Sequence, residues 1–420
     1  MRRILLYVLL SYCFLLGILG REIGHFQYGI LIEGLILLTW VAVGIEAKKD
    51  AFGRLNSDVF YLFLIWFVIS VLEVINPGSS FIGWLAEIRT TAFYPLMVVG
   101  LSLIIFEEIK DLDLFLIIII ALSTLACLNG IKQLYFGPSP GEQRFLNDGG
   151  AVTHILWGKL RVFSFYSDAG QFGASQAHMG LTSIILAMGP FKRWMRLVFL
   201  GTGLLLLYGM LISGTRGALF TLIVGTFVAI ILSKNYKVLI IGGLLTLGLL
   251  FVLKFTHLGN GNYQIYRLRS ALNPDDPSLN VRFNTQRNLR EYMSSRPFGG
   301  GLGVIGNNGI LYNSDKYLST VPPDSYYVKV WAMYGIVGLT IWLCIMLFIL
   351  GKCCGIIWKI ENEGLRVKMI ALTSGFAGIL FCSYGNEVIN NMPSSIVVCM
   401  SIVFVYLTPV LERDEQICLI

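Results

Sequence analysis

Charged residues are scarce in this chain. They make up 14% of the 420 residues, against roughly 25% in a typical soluble domain. Hydrophobic residues make up 55%, the mean hydropathy is +0.72, and long apolar runs recur from end to end. This composition excludes an ordinary soluble domain and predicts one polytopic, all-α membrane domain over residues 1–420. The net charge of +7 does not indicate nucleic acid, because much of it lies in short loops between apolar runs.

Cysteine is absent from the two long polar segments of the chain. Most of the eight cysteines lie inside apolar runs, and Cys353-Cys354 lacks the spacing of zinc ligands. The sequence therefore predicts neither a disulfide framework nor a structural zinc site. Only four histidines are present and they are scattered, which is typical of ordinary polar or boundary residues.

Twelve apolar segments reach about the length that a bilayer requires. They cover approximately residues 4–20, 28–46, 59–75, 86–106, 112–130, 172–190, 195–212, 217–233, 236–255, 325–351, 367–385 and 393–411. Lysine and arginine concentrate in every second connection, as in the clusters 48–54 and 352–368. The positive-inside rule then places both termini in the cytoplasm.

Two connections on the predicted outer side are too long to be simple turns. The first covers residues 131–171, and the second covers residues 256–324, between the ninth and tenth segments. Within the second, the pattern from Leu279 to Ser295 predicts a short amphipathic helix that ends before Arg296-Pro297 and a run of glycines. Loops of this length are usually functional or disordered.

Four ionisable residues fall at the predicted outer edge of the apolar segments: Arg161, Arg216, Arg282 and Asp324. Such groups are costly at a membrane edge, and arginine binds phosphate oxygens well, so their convergence predicts a site for a large anionic substrate. Each residue also has a plainer interpretation. These are a solvated loop residue, a snorkelling side chain beside a tight turn, a helix face that binds lipid headgroups, and an ordinary helix N-cap, respectively.

The segments around these residues resemble the O-antigen ligase and O-antigen polymerase family of bacterial membrane glycosyltransferases, mainly from about residue 155 to 345. Ser-Gly-Thr-Arg-Gly, at 213–217, is similar to the family's small-residue-then-Arg-Gly signature. Arg282, followed by Pro297 and then Phe-Gly-Gly-Gly-Leu-Gly, resembles its Arg…Pro-x-x-Gly-x-Gly pattern. Asp324, with Gly335 eleven positions on, resembles the ligases' histidine followed by ten residues and glycine.

The resemblance implies a GT-C-type inverting glycosyltransferase in the bacterial inner membrane, with its site facing the periplasm. The implied substrate is an oligosaccharide on undecaprenyl diphosphate, and a chain-length regulator and a flippase are the expected partner proteins. Arg216 and Arg282, helped by Arg161, would bind the diphosphate. Asp324 would be the general base for the acceptor hydroxyl. Because the ligases carry histidine there, the aspartate favours a polymerase of the same family.

Related lipid-linked transferases often hold a divalent metal with an acidic pair in an outer loop. Here the one Asp-x-Asp sequence, at 111–113, lies on the predicted cytoplasmic side, and Asp275-Asp276 lacks the spacing. We therefore expect no metal and no other cofactor. Two alternatives to the polymerase stay open: a ligase that transfers the glycan to lipid A–core, and a transporter of lipid-linked glycan, which the span count alone would allow.

Overall fold

Helices form almost all of the regular structure in the computed structural model, which describes residues 1–24, 28–256, 261, 263–270, 272–273, 277–323 and 325–418. The helices are α1 Arg2–Glu22, α2 Gly29–Glu46, α3 Lys49–Phe52, α4 Asp58–Leu72, α5 Phe81–Ile88, α6 Tyr94–Ile105, α7 Ile109–Tyr135, α8 Pro140–Phe145, α9 Ala151–His154, α10 Ala169–Ala187, α11 Arg193–Ile212, α12 Gly217–Leu232, α13 Tyr236–Phe255, α14 Tyr263–Ser270, α15 Pro277–Met293, α16 Gly306–Tyr312, α17 Tyr326–Ile357, α18 Glu363–Cys382 and α19 Ser394–Cys418. Two short antiparallel strands, β1 Ile155–Leu156 and β2 Lys159–Leu160, form a hairpin.

Each predicted apolar segment coincides with a helix or with two joined helices. Among the described residues, nine helices are long and apolar enough to cross a membrane. The apolar helix α12 has only 16 residues, which is short for a span. The all-α polytopic fold is therefore confirmed, whereas the count of twelve spans and the GT-C class stay predictions.

The fourth apolar segment is one continuous helix over Phe81–Ile105, in which a wide π-helical turn at Arg89–Phe93 joins α5 to α6. Such turns inside α-helices often lie at functional sites. Glu87, which lies just before the turn, is buried within the bundle. An ionisable group in this position is a sign of function.

Helix α10 is the most enclosed element of the bundle, with 18 of its 19 residues buried. It packs against α11, α12 and α18. Small residues allow this close packing, since a methyl group added at Gly180 would lie 3.0 Å from the Leu207 side chain. Asp168 caps the helix, because its Oδ1 accepts a hydrogen bond from the Gln171 backbone N–H at 2.9 Å.

The two ends of the bundle differ in their polar contacts. At one end, Arg2 pairs with Glu107 at 2.9 Å, and Arg3 pairs with Glu108 at 3.1 Å. At the same end, Lys352 pairs with Asp58 and Lys368 pairs with Asp113. These pairs bring together loops that the charge pattern assigns to one side of the membrane. That this side is the cytoplasm stays a prediction.

The amphipathic helix expected at Leu279–Ser295 is present as α15, two residues earlier at each end. The glycine run after it docks on α17. The Gly300 N–H donates to the Ala332 carbonyl at 2.8 Å, and the Gly301 N–H donates to the Met333 carbonyl at 2.9 Å. Gly335 has a left-handed φ of 69°, which interrupts α17 at this contact and favours glycine. The glycines in the motif therefore fix the loop 256–324 to a membrane helix.

Candidate functional site

A cavity of about 1150 Å³ opens at the end of the bundle opposite the ion-paired loops. Its walls come from the β1–β2 hairpin, the start of α10, the turn between α11 and α12, helices α14 and α15, and the segments 306–323 and 386–391. Chain segments that are far apart in sequence therefore meet around one cavity, which is the usual form of a ligand site.

The three arginines singled out in the sequence, Arg161, Arg216 and Arg282, all line this cavity. They reach it from three separate elements: the residue after β2, the residue before α12, and the first half of α15. A fourth arginine, Arg267 of α14, also lines it and is 6% exposed. The convergence of four guanidinium groups makes this part of the cavity suited to an anion with several oxygens.

Backbone geometry in the turn at 213–217 explains why the sequence has small residues there. Gly214 has φ +59°, and the Cβ of any other residue would lie 3.4 Å from the Arg267 side chain and 3.9 Å from that of Arg161. The Thr215 hydroxyl accepts a hydrogen bond from Arg161 Nη2 at 3.2 Å and donates one to the Ala169 carbonyl at 2.7 Å. The turn thus holds Arg161 against the start of α10.

Other contacts hold the remaining arginines. Arg216 Nη1 donates to the Ser270 hydroxyl at 3.2 Å, which ties the turn to α14. The Arg282 guanidinium lies beside Gly385, with Nη1 at 3.9 Å from the position of a Cβ there. Arg216 thus lines the cavity and has a specific hydrogen-bond partner.

The hairpin carries Trp157 to the mouth of the cavity. Trp157 and Gly158 form its two-residue turn, both with positive φ, at 51° and 71°. The indole is 76% exposed, and the Arg267 guanidinium lies 5.9 Å from its ring centre. A left-handed backbone conformation is costly for tryptophan and persists only where the surrounding structure imposes it. The hairpin therefore fixes the position of this exposed aromatic side chain.

His154 lines the cavity beside Arg161. Its Nδ1 lies 2.9 Å from the Gly150 carbonyl oxygen, and its ring packs edge-on against Phe163 at 4.9 Å. Burial lowers the pKa of His154 below its ordinary value, although the Gly150 carbonyl and Asp168 raise it in part. The imidazole is therefore neutral at pH 7, so the positive charge of this wall comes from the arginines.

Asp324, the predicted general base, lies outside the described residues. Its neighbours Pro322 and Pro323 both line the cavity. The N-cap of the following helix, α17, is Ser325, whose hydroxyl accepts from the Val328 N–H at 3.4 Å.

Another wall of the cavity carries a buried charge network that the sequence analysis missed. Lys329 Nζ lies 2.9 Å from Glu87 Oε1 and 2.6 Å from Glu387 Oε1. Asn308 donates to Glu87 Oε2 at 2.8 Å, and Asn390 donates to Glu387 Oε1 at 2.8 Å. A signal was present, because Glu87 and Lys329 are charged residues inside apolar segments. Only the fold shows that they meet.

These features define a helical membrane protein with an arginine-lined cavity at one end of the helical bundle. A model of the O-antigen ligase family matches residues 201–343, which include Arg216 and Arg282 but not Arg161. An O-antigen polymerase from Salmonella muenchen is 27% identical over 331 residues, which is 74% of this chain and 77% of that protein. Both matches support the resemblance to the O-antigen ligase and polymerase family that the motifs predict. The family implies an enzyme of the glycosyltransferase type.

Proposed function

We propose that this protein is a polymerase of O-antigen or a related surface polysaccharide. It would join oligosaccharide repeat units carried on undecaprenyl diphosphate, at the outer face of the inner membrane. The convergence of Arg161, Arg216 and Arg282 on one cavity carries this proposal, because a diphosphate needs several fixed cationic donors. The similarity to an O-antigen polymerase over most of both chains supports it.

In the proposed reaction, a hydroxyl oxygen of the acceptor sugar attacks the anomeric carbon of the donor glycan. The bond from that carbon to the diphosphate oxygen breaks, and both electrons leave with the diphosphate, so the configuration inverts. Negative charge grows on the leaving group, and Arg216 and Arg282 stabilise it more strongly in the transition state than in the ground state. Asp324 takes the proton from the attacking hydroxyl.

The surface glycan of a strain that lacks the gene tests this function. A polymerase deletion leaves single repeat units on the cell surface. A ligase is the second candidate, because the matching family model is that of the O-antigen ligases. Its deletion leaves lipid-linked polymer and a bare lipid A–core. Normal surface polymer in the deletion strain would contradict both functions.

Metal independence is part of the proposal, with the arginines taking the part that a divalent cation has in other lipid-linked transferases. Purified protein should keep its full rate of glycan extension in EDTA. If activity were lost in EDTA and restored by magnesium or manganese, acidic side chains of this protein would have to bind a divalent cation, and metal independence would be wrong.

A further inference from the structure

The charge network on the second cavity wall leaves one carboxylate oxygen available. Both oxygens of Glu87 have donors: its Oε1 accepts from Lys329 and from Thr91 at 3.1 Å, and its Oε2 accepts from Asn308. Glu387 accepts from Lys329 and Asn390 through Oε1 alone. Among the described residues, Glu387 Oε2 has no donor, and the side chain is 20% exposed where it lines the cavity.

A second acceptor on the same wall also has no donor. Asn390 is 5% exposed and lines the cavity, and its Oδ1 is buried with no hydrogen-bond partner among the described residues. The amide orientation is fixed because Asn390 Nδ2 donates to Glu387. A buried carbonyl oxygen without a donor is unfavourable, so its persistence in a cavity wall indicates a ligand that supplies the donor.

The chemistry of these two groups defines the ligand. Both available atoms are hydrogen-bond acceptors, and two carboxylates against one ammonium give the network a net negative charge. A phosphate group would be repelled and offers no donors at neutral pH, whereas each sugar hydroxyl donates one hydrogen bond. This wall is therefore matched to a neutral polyol and not to the diphosphate that suits the arginines.

The two walls meet at one short segment. Gly385 lies beside Arg282, and the Asn386 side chain packs on Gly217, so that it would have to shift to admit a Cβ there. Glu387 follows directly in sequence. A hydroxyl bound at Glu387 would therefore lie in the same cavity as a diphosphate bound at the arginines, as a glycosyl transfer requires.

We propose that Glu387 Oε2 and Asn390 Oδ1 form a subsite for the hydroxyl groups of the acceptor saccharide. Lys329 and Glu87 hold Glu387 in position and are positioning residues. This inference rests on the proposed function for the identity of the saccharide as acceptor. It assigns the two walls to two different parts of the reaction.

The test separates the two kinds of binding with two probes: undecaprenyl diphosphate without sugar, and the soluble repeat-unit oligosaccharide without lipid. Binding of each probe is measured on the purified protein in nanodiscs. Glu387→Gln and Asn390→Ala should weaken oligosaccharide binding roughly 10- to 100-fold, as expected for losing a hydrogen bond to a charged or buried group. Binding of undecaprenyl diphosphate should change by less than about threefold. Asn147→Ala, at an exposed asparagine, is the matched control.

Two results would overturn the subsite: unchanged oligosaccharide binding in both variants, or an equal loss of both probes in variants whose thermal stability matches that of the wild type. If Glu387→Gln is unstable, Asn390→Ala decides. A wild type that binds the oligosaccharide through these residues but forms no glycosidic bond would contradict the proposed function and leave the subsite intact.

Discussion

The two polar ends of the molecule use charge in opposite ways. At the predicted cytoplasmic end, basic and acidic side chains alternate and form pairs, such as Arg2 with Glu107 and Arg3 with Glu108. At the other end, arginines from four elements line one cavity. Exposed pairs connect loops and contribute little to stability individually. The arginines bring positive charge from four elements to one cavity, which makes this part of it suited to an anionic ligand.

The largest difference between the two ends is expected in activity, when the cavity arginines are replaced. Arg216→Ala and Arg282→Ala should each lower the rate of glycan extension by at least about 10²–10³-fold, as when a donor to a developing oxyanion is lost. Arg290→Ala removes an exposed arginine of α15, the helix that carries Arg282, and is the matched control. Arg3→Ala breaks pairs at the other end and should cost about 0–1 kcal/mol of stability with normal activity.

Lysine variants separate directed binding from general electrostatics. Arg216→Lys and Arg282→Lys keep the charge but lose the planar fork, so the rate should recover only in part. Normal rates in both lysine variants would show that these residues contribute only their positive charge and not directed hydrogen bonds from the guanidinium. Normal rates in both alanine variants would remove them from the mechanism, and equal losses in Arg290→Ala would remove the distinction between cavity and surface.

The next effect concerns Asp324. Asp324→Asn keeps a polar side chain of the same shape but cannot take up a proton, so turnover should fall roughly 10²–10⁴-fold if the aspartate is the general base. Because Ser325 caps α17, thermal stability should be little changed. Turnover is measured with saturating lipid-linked repeat units. Near-normal turnover would show that Asp324 only positions the acceptor.

Most of the helical architecture is predictable from sequence, because a bilayer imposes a minimum apolar length on each span. The fourth segment and helix α12 show where hydropathy alone fails. The fourth contains Glu87, and its charge obscures a span that the structure resolves as one helix with an irregular turn. Helix α12 is apolar along its whole length but short, so hydropathy does not decide whether it crosses.

The candidate site divides in the same way. Arg216 and Arg282 belong to motifs whose glycines are needed for the local backbone conformation. Such motifs can be recognised in the sequence. Arg267 and Glu387 lie in no such pattern. They reach the cavity because α14 and the segment after α18 pack against elements that are distant in the chain. Such long-range contacts cannot be predicted from a single sequence. Arg216 and Arg282 were therefore predictable, whereas Arg267 and the carboxylate wall were not.

A smaller effect is expected from Gly214. An alanine there must adopt φ near +59°, which costs about 1–2 kcal/mol for an L-residue. Relief of that strain would shift Arg161 and Arg267, so the rate should also fall roughly tenfold. Gly201→Ala, in α11 with open space around it, should be neutral or stabilise the helix by up to about 1 kcal/mol. Equal behaviour of the two variants in melting and activity assays would contradict the role assigned to the turn.

The smallest expected effect is a pH dependence of stability that arises beside the arginines. Burial lowers the pKa of His154, and Arg161 lowers it further. The unfolded chain, with an ordinary pKa near 6.5, then binds a proton that the folded protein does not. Stability should fall as the pH drops below about 6.5 through the folded pKa, by at most roughly 1.4 kcal/mol per pH unit, and should not change above it for this reason.

His154→Asn isolates this contribution, because asparagine keeps a donor for the Gly150 carbonyl but does not titrate in this range. Melting temperatures at pH 7 and pH 5 should differ less in the variant than in the wild type. Arg161→Ala should reduce the difference in part, since it removes one cause of the low pKa. An unaltered pH dependence in His154→Asn would show that other groups dominate. An effect of His154→Asn with none from Arg161→Ala would mean that burial and the other neighbours of the imidazole, not Arg161, set its pKa.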